Sequence, residues 1–273
     1  MMNNLKRFVE AMTVQEVKIY LSALERRAVI FIDVDDTLIT PTSKIFRAKS
    51  PHRMLIDELK KERDQIPYFE RILSRWRLQR QVQLVFEDWL WFIKDFKTQF
   101  PLYALTKMES GPLGDILSME EWRYAELSAK GMEFTPTYGG KDKEVLLSSP
   151  LSMPYEGTFY KGIFSTGSFN KSDIVCSYLQ KENPTQVVLI DDRFEQLQDV
   201  SEECLRRSMP FIGIHFKGHE LIPGVPDPSL AKFQKNHLLN NHEWLEDEEA
   251  EKNRTAPSMV DRINSNLQKG VLK

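Results

Sequence analysis

The stretch that most limits what this chain can fold into is Ala28-Val29-Ile30-Phe31-Ile32, followed directly by Asp33-Val34-Asp35-Asp36-Thr37-Leu38. Five consecutive apolar, mostly β-branched or aromatic residues read as a strand buried on both faces, the signature of a parallel sheet. Such sheets bind their ligands at the carboxyl ends of the strands. Here that end carries three carboxylates, which repel one another unless a cation neutralises them. An Asp-rich turn is the plain alternative, since Asp forms turns readily.

Two more segments repeat the pattern. Gln186-Val187-Val188-Leu189-Ile190 ends in Asp191-Asp192, and Pro210 to Phe216 forms a last apolar strand. Pro101 to Leu105 is a further strand, ending at Thr106-Lys107. Between them lie helical periodicities at 82–97, 118–130, 172–181 and 194–208. Strands alternating with helices give an α/β fold with a parallel sheet. A helix over 13–26 begins at Thr13 with Glu16 three residues on, a capping box. Residues 5–11 read as a short helical turn before it. Residues 135–170 are irregular, with short strands at 144–147 and 159–164.

The segment from Pro41 to Arg80 carries no strand pattern and reads as charged helices inserted after the first strand. Its Arg71, Arg75, Trp76, Arg77 and Arg80 are a solvated basic face, or a contact for an acidic or aromatic substrate. Past Lys217 three prolines mark a change of character, and Leu230 to Trp244 and Met259 to Leu267 are helical stretches. Glu246-Asp247-Glu248-Glu249 reads as a solvated charge run. The division expected is a core of residues 1–40 and 81–216, an insertion of 41–80 and a partly helical C-terminal extension of 217–273.

Composition excludes some roles. A formal net charge of −3 gives no pull toward nucleic acid. Two cysteines, Cys176 and Cys204, make no disulfide framework, and the five histidines show no metal-ligand spacing with them. No stretch reaches the roughly 18 apolar residues of a membrane span, and the N-terminus lacks a signal-peptide core. A soluble protein of a reducing compartment is expected. Export without an N-terminal signal, and membrane association through the region after Lys217, stay open.

In chain order the strand ends offer Asp33-x-Asp35-x-Thr37, then Thr106, then Lys171 before a helix, then Asp191-Asp192. This order resembles the haloacid dehalogenase (HAD) superfamily of phosphotransferases over residues 28–216. The resemblance implies a Rossmann-like core with a helical cap inserted between the first and second motifs. It implies a phosphomonoester phosphatase working through an aspartyl-phosphate: Asp33 as nucleophile, Asp35 as general acid and base, Thr106 and Lys171 on the phosphate. Mg²⁺ is implied as cofactor, held by Asp33, the Asp35 main-chain carbonyl and Asp192, with Asp191 behind them or paired to Lys171. A carboxylate pair and a lysine suit this chemistry, because a carboxylate attacks a dianion only when charge is neutralised. Asp36 is left to the turn. The chain also resembles a bacterial branch of these phosphatases that includes proteins delivered into host cells by intracellular pathogens. That resemblance implies a phosphoprotein substrate, with phosphotyrosine among the candidates. A small-metabolite phosphatase and a catalytically silent binding protein on the same fold are the alternatives.

Overall fold

In the computed structural model, residues 6–150 and 154–255 are described; the expected helix at 259–267 lies outside them. The chain opens with a strand, β1 (Lys6–Ala11), and a helix, α1 (Val14–Leu21), then enters β2 (Ala28–Ile32) and the short β3 (Ile39–Pro41). Helices α2 (Leu55–Lys61) and α3 (Phe69–Gln79) follow, then β4 (Val82–Leu84), α4 (Asp88–Phe96), β5 (Leu102–Thr106) and α5 (Met119–Ser128). Next come β6 (Lys143–Leu147), β7 (Gly157–Tyr160), β8 (Ile163–Ser165), α6 (Lys171–Lys181), β9 (Gln186–Asp191), α7 (Phe194–Arg206) and β10 (Phe211–Phe216). Helices α8 (Pro228–Asn241) and α9 (Asp247–Thr255) complete it.

By its contacts the chain falls into two compact units. One comprises Met1–Pro41 with Val82–Gly224, the other Thr42–Gln81 with Val225–Lys273. The first unit is an α/β layered fold. Its sheet runs β1-β10-β9-β2-β5-β8-β7-β6. The pairs from β1 through β8 are parallel, and β7 and β6 add an antiparallel edge.

Side chains alternate across the sheet, and both faces are covered. Ile30, Ile32, Ala104, Val188 and Ile190 pack with Val17, Trp89, Phe92 and Leu127 of α1, α4 and α5. Val29, Phe31, Tyr103, Val187 and Leu189 pack on the opposite face with Ile174, Tyr178, Leu197 and Cys204 of α6 and α7. Burial on both faces is why these strands carry continuous apolar runs. The chain moves outward from β2 through β5 to β8, then returns to β9 on the other side of β2. That reversal makes the carboxyl ends of β2 and β9 the topological switch point, where α/β proteins place ligands.

Two local expectations are overturned. Residues 6–11 are a strand, not a helical turn: β1 pairs in parallel with β10, and the Phe8 ring lies 5.3 Å from Phe194 and 6.0 Å from Phe211. Sheet pairing and aromatic packing override weak local preference. The helix expected over 82–97 begins only at Asp88, because Val82–Leu84 pairs antiparallel with Ile39–Pro41. The capping box of α1 forms as expected, Thr13 Oγ1 accepting from Glu16 N while Glu16 Oε2 accepts from Thr13 N.

The second unit joins the insertion to the C-terminal residues. Phe46 meets both Trp76 and Trp244, at 5.8 and 5.7 Å between ring centroids. Trp76, Arg77 and Arg80 are buried, with the Arg80 guanidinium 4.7 Å from the Trp76 ring, while Arg71 is exposed and Arg75 half-buried, so only part of this stretch is a solvated face. Nor is the whole acidic run exposed ornament. Glu246 accepts from Thr42 Oγ1 (2.9 Å), Gln81 N (2.9 Å) and Trp244 Nε1 (3.0 Å). Asp247 accepts from Ser43 Oγ (2.5 Å), Lys44 N (3.0 Å) and Gln234 Nε2 (3.1 Å). Two adjacent carboxylates thus tie α9 to both ends of the insertion. Among the described residues, no helix is long and apolar enough to cross a membrane.

Asp247→Ala leaves the buried Ser43 hydroxyl without its carboxylate acceptor and is expected to destabilise the second unit by about 2–3 kcal/mol. Amide hydrogen exchange should accelerate across residues 42–81 and stay unchanged in β2 and β9. Unchanged exchange over 42–81 would contradict the role given to this carboxylate.

Candidate active site

Asp33 follows β2 directly, and its main-chain N–H donates to Ile190 O of β9 at 2.8 Å. That bond carries the β2–β9 pairing one residue past the strand and sets Asp33 beside Asp191. Lys171 opens α6 behind a capping box made by Asn170 and Asp173. A cation at a helix N-terminus is disfavoured by the helix dipole, so helix formation gives no reason for a lysine there. Gly167, at φ +60°, makes the turn ahead of it; an added Cβ would stand 2.0 Å from the Glu156 carbonyl oxygen.

The Lys171 ammonium is 1% exposed and donates both to Asp33 Oδ1 and to Asp191 Oδ2, the latter at 2.6 Å. The second Asp191 oxygen accepts from Arg193 N at 2.9 Å. Carboxylate oxygens of Asp33, Asp191 and Asp192 lie within 4.8 Å of one another. Three carboxylates thus crowd around one ammonium, with Arg193 also acting on Asp192.

The electrostatics follow from this crowding. Burial raises the Asp33 carboxyl from 3.8 to about 7; Lys171 opposes the rise, and Asp191 and Asp35 add to it. Burial, then repulsion from Asp33 and Asp191, also pushes Asp192 well above the usual carboxylate range. Burial works against the Lys171 charge, but Asp191 and Asp33 outweigh it and hold its pKa above the ordinary lysine value.

The other expected residues sit nearby. Asp35 lies past the strand end, bridged by its backbone to Ile39. Asp36 adopts φ 63°, donates its N–H to Ile39 O and accepts from Thr40 Oγ1 at 2.7 Å, a turn role as expected. Thr106 ends β5, the other neighbour of β2, in register with Ser165 of β8, and is 1% exposed. The structure therefore joins Asp33, Lys171, Asp191 and Asp192 directly and puts Thr106 at the adjacent strand end. The buried Thr37 and Ser165 hydroxyls have no hydrogen-bond partner among the described residues.

Two contacts escaped the sequence reading. Arg123 of α5 is buried and binds both Asp35 oxygens, Nη2 to Oδ2 at 2.8 Å and Nη1 to Oδ1 at 3.3 Å. A signal was present: Met119, Arg123 and Leu127 are spaced by four residues, so the arginine falls on the buried face of its helix. His215 Nε2 lies 3.0 Å from the Asp192 main-chain oxygen; the carbonyl only accepts, which puts the ring hydrogen on Nε2.

Replacing Lys171 by Met leaves Asp33 and Asp191 buried without their cation, an expected cost of about 3–5 kcal/mol near neutral pH. Asp33 already has a folded-state pKa above its ordinary value, so folding takes up a proton and its contribution to stability falls as pH rises from 3.8 through about 7. Denaturant titrations in EDTA should therefore show the Lys171→Met penalty shrinking toward acid pH, where Asp33 is protonated. A penalty absent at neutral pH, or one that grows on acidification, would contradict this account of the cluster.

Comparison with known proteins returns two matches. A relative from Rickettsia prowazekii (strain Madrid E), "Uncharacterized protein RP296", is 27% identical over 247 residues, covering 89% of this chain and 88% of the relative. No solved structure matches. The family model described as "Protein of unknown function (DUF2608)" matches residues 10–251, which include Asp33, Asp35, Thr106, Lys171, Asp191 and Asp192 and reach into both units. The chain belongs to the DUF2608 family.

Proposed function

We propose that this protein is a Mg²⁺-dependent phosphomonoester hydrolase with a HAD-type core. The observation that carries the reading is the buried Lys171 between Asp33 and Asp191, with Asp192 beside them, at the ends of neighbouring parallel strands. A cluster of three carboxylates whose oxygens lie within 4.8 Å of one another fits a hard divalent cation, which favours oxygen ligands. Asp33, Asp192 and the main-chain carbonyl of Asp35 are the ligands we assign. Asp191 holds Lys171 with one oxygen and Arg193 N with the other, and we assign it as the lysine's anchor and Asp192 as the ligand. When bound, the cation would offset charge on the phosphate oxygens.

The chain's own residues supply the rest. A carboxylate oxygen of Asp33 attacks phosphorus, and the bond from phosphorus to the leaving oxygen breaks. Asp35 gives that oxygen a proton. In the second half Asp35 takes a proton from water as the water oxygen attacks phosphorus; the Asp33–phosphoryl bond breaks and inorganic phosphate leaves. Lys171 steadies the charge that collects on Asp33 and the phosphate, and the Thr106 hydroxyl donates to a phosphate oxygen. The insertion occupies the place in chain order where the resembled superfamily carries its cap, and we assign the choice of substrate to it.

The test is turnover of p-nitrophenyl phosphate with Mg²⁺ and with EDTA, followed by a panel of phosphopeptides, sugar phosphates and nucleotides. Asp33→Asn is expected to lower kcat by at least about 10³-fold, and EDTA to abolish activity reversibly. Mg²⁺ should also raise Tm, an effect lost in Asp192→Asn. Equal turnover in Asp33→Asn would overturn the mechanism. A folded protein inert across the whole panel would favour a silent binding protein instead.

A further inference from the structure

We infer that Arg123 is a positioning residue: a buried guanidinium whose task is to fix the Asp35 carboxylate for proton transfer. The inference rests on the phosphatase reading above and adds a residue to it.

Arg123 sits on the core side of α5, between the buried Met119 and Leu127, where side-chain packing asks for an apolar residue. Burying a guanidinium there is costly and calls for partners. It is engaged on three sides, while its Nε has no hydrogen-bond partner among the described residues. Its two terminal nitrogens reach both oxygens of Asp35, in the fork geometry that fixes a carboxylate plane. Glu126 accepts from Nη1 at 2.6 Å. The Trp122 ring lies 4.9 Å from the guanidinium carbon. Glu126 and Trp122 hold the arginine, and the arginine holds Asp35.

The pair is lopsided. The Arg123 side chain is 2% exposed and that of Asp35 is 46% exposed. An ion pair that only stabilised the fold would gain little from a partner so open to solvent. The geometry points the other way, to a hidden cation orienting an exposed carboxylate that meets something from outside. Asp35 needs such an anchor, because it lies beyond the end of β2 ahead of the positive-φ residue Asp36. An unanchored carboxylate there would spread over several rotamers, and proton transfer falls off steeply with misplacement. With its plane so fixed, the Asp35 carboxyl gives its proton to the leaving oxygen in the first half-reaction and takes one from water in the second, which restores the acid form.

A misplaced proton donor hurts poor leaving groups most, which gives a readout that loss of structure does not move. The experiment measures kcat/KM for aryl phosphates from nitrophenyl to phenyl phosphate, with the full-length chain as parent, Arg123→Gln, Arg123→Lys, Asp35→Asn and the double variant Asp35→Asn/Arg123→Gln. Arg123→Gln is expected to lower kcat on phenyl phosphate by about 10²-fold. KM should move by less than roughly threefold, because ground-state binding is untouched. The dependence on leaving-group acidity should steepen toward that of Asp35→Asn, with Arg123→Lys between. In the Asp35→Asn background Arg123→Gln should cost nothing further. Losses equal across all leaving groups, or additive in the double variant, would overturn the inference while leaving the phosphatase reading intact. If Arg123→Gln does not fold, Arg123→Lys decides: a slope identical to the parent's overturns the inference. A parent inert on aryl phosphates and across the panel of phosphopeptides, sugar phosphates and nucleotides removes the phosphatase reading, and this inference with it.

Discussion

The buried Lys171 ammonium is the contact on which the site depends. It opens α6, at the helix end least suited to a cation, and answers two carboxylates from two strands. Neither side is stable alone. Without the lysine, Asp33 and Asp191 are buried anions without their cation; without them, the lysine is a buried charge without its carboxylates. The arrangement therefore requires β2 beside β9, and α6 delivered to their carboxyl ends from β8. The order of the sheet and the chemistry of its edge are one constraint.

That constraint explains which parts could be read from the letters. The strand tips at Asp33 and Asp191 were legible because a continuous apolar run ending in carboxylates is a local pattern, and Lys171 followed from its place in the order of motifs. The α/β alternation was legible for the same reason. What escaped depends on partners far away in the chain. β1 is a strand because β10, some two hundred residues on, pairs with it, and its own six residues do not declare this. Val82–Leu84 looked like the first turn of a helix until Ile39–Pro41 was there to pair with it. Arg123 carried its signal on a helix face, but its partner Asp35 is 88 residues distant. Glu246 and Asp247 sit in a run whose composition says solvent and whose hydrogen bonds say otherwise.

The second unit changes how the insertion is understood. Residues 42–81 share a core with helices from the C-terminal end, through the Phe46, Trp76 and Trp244 rings and through Glu246 and Asp247. The insertion is half of a module that the C-terminal segment completes. The family match runs from residue 10 to residue 251 and so takes in both halves.

The central claim is that Asp33 becomes covalently phosphorylated during turnover. Acid quenching of the working enzyme on p-nitrophenyl phosphate, followed by peptide mass spectrometry, tests it directly. The account predicts one phosphoryl group on the peptide containing Asp33, absent when p-nitrophenyl phosphate is omitted and absent in Asp33→Asn. Steady turnover with no phosphoryl group on that peptide, or with the group on another residue, would contradict it.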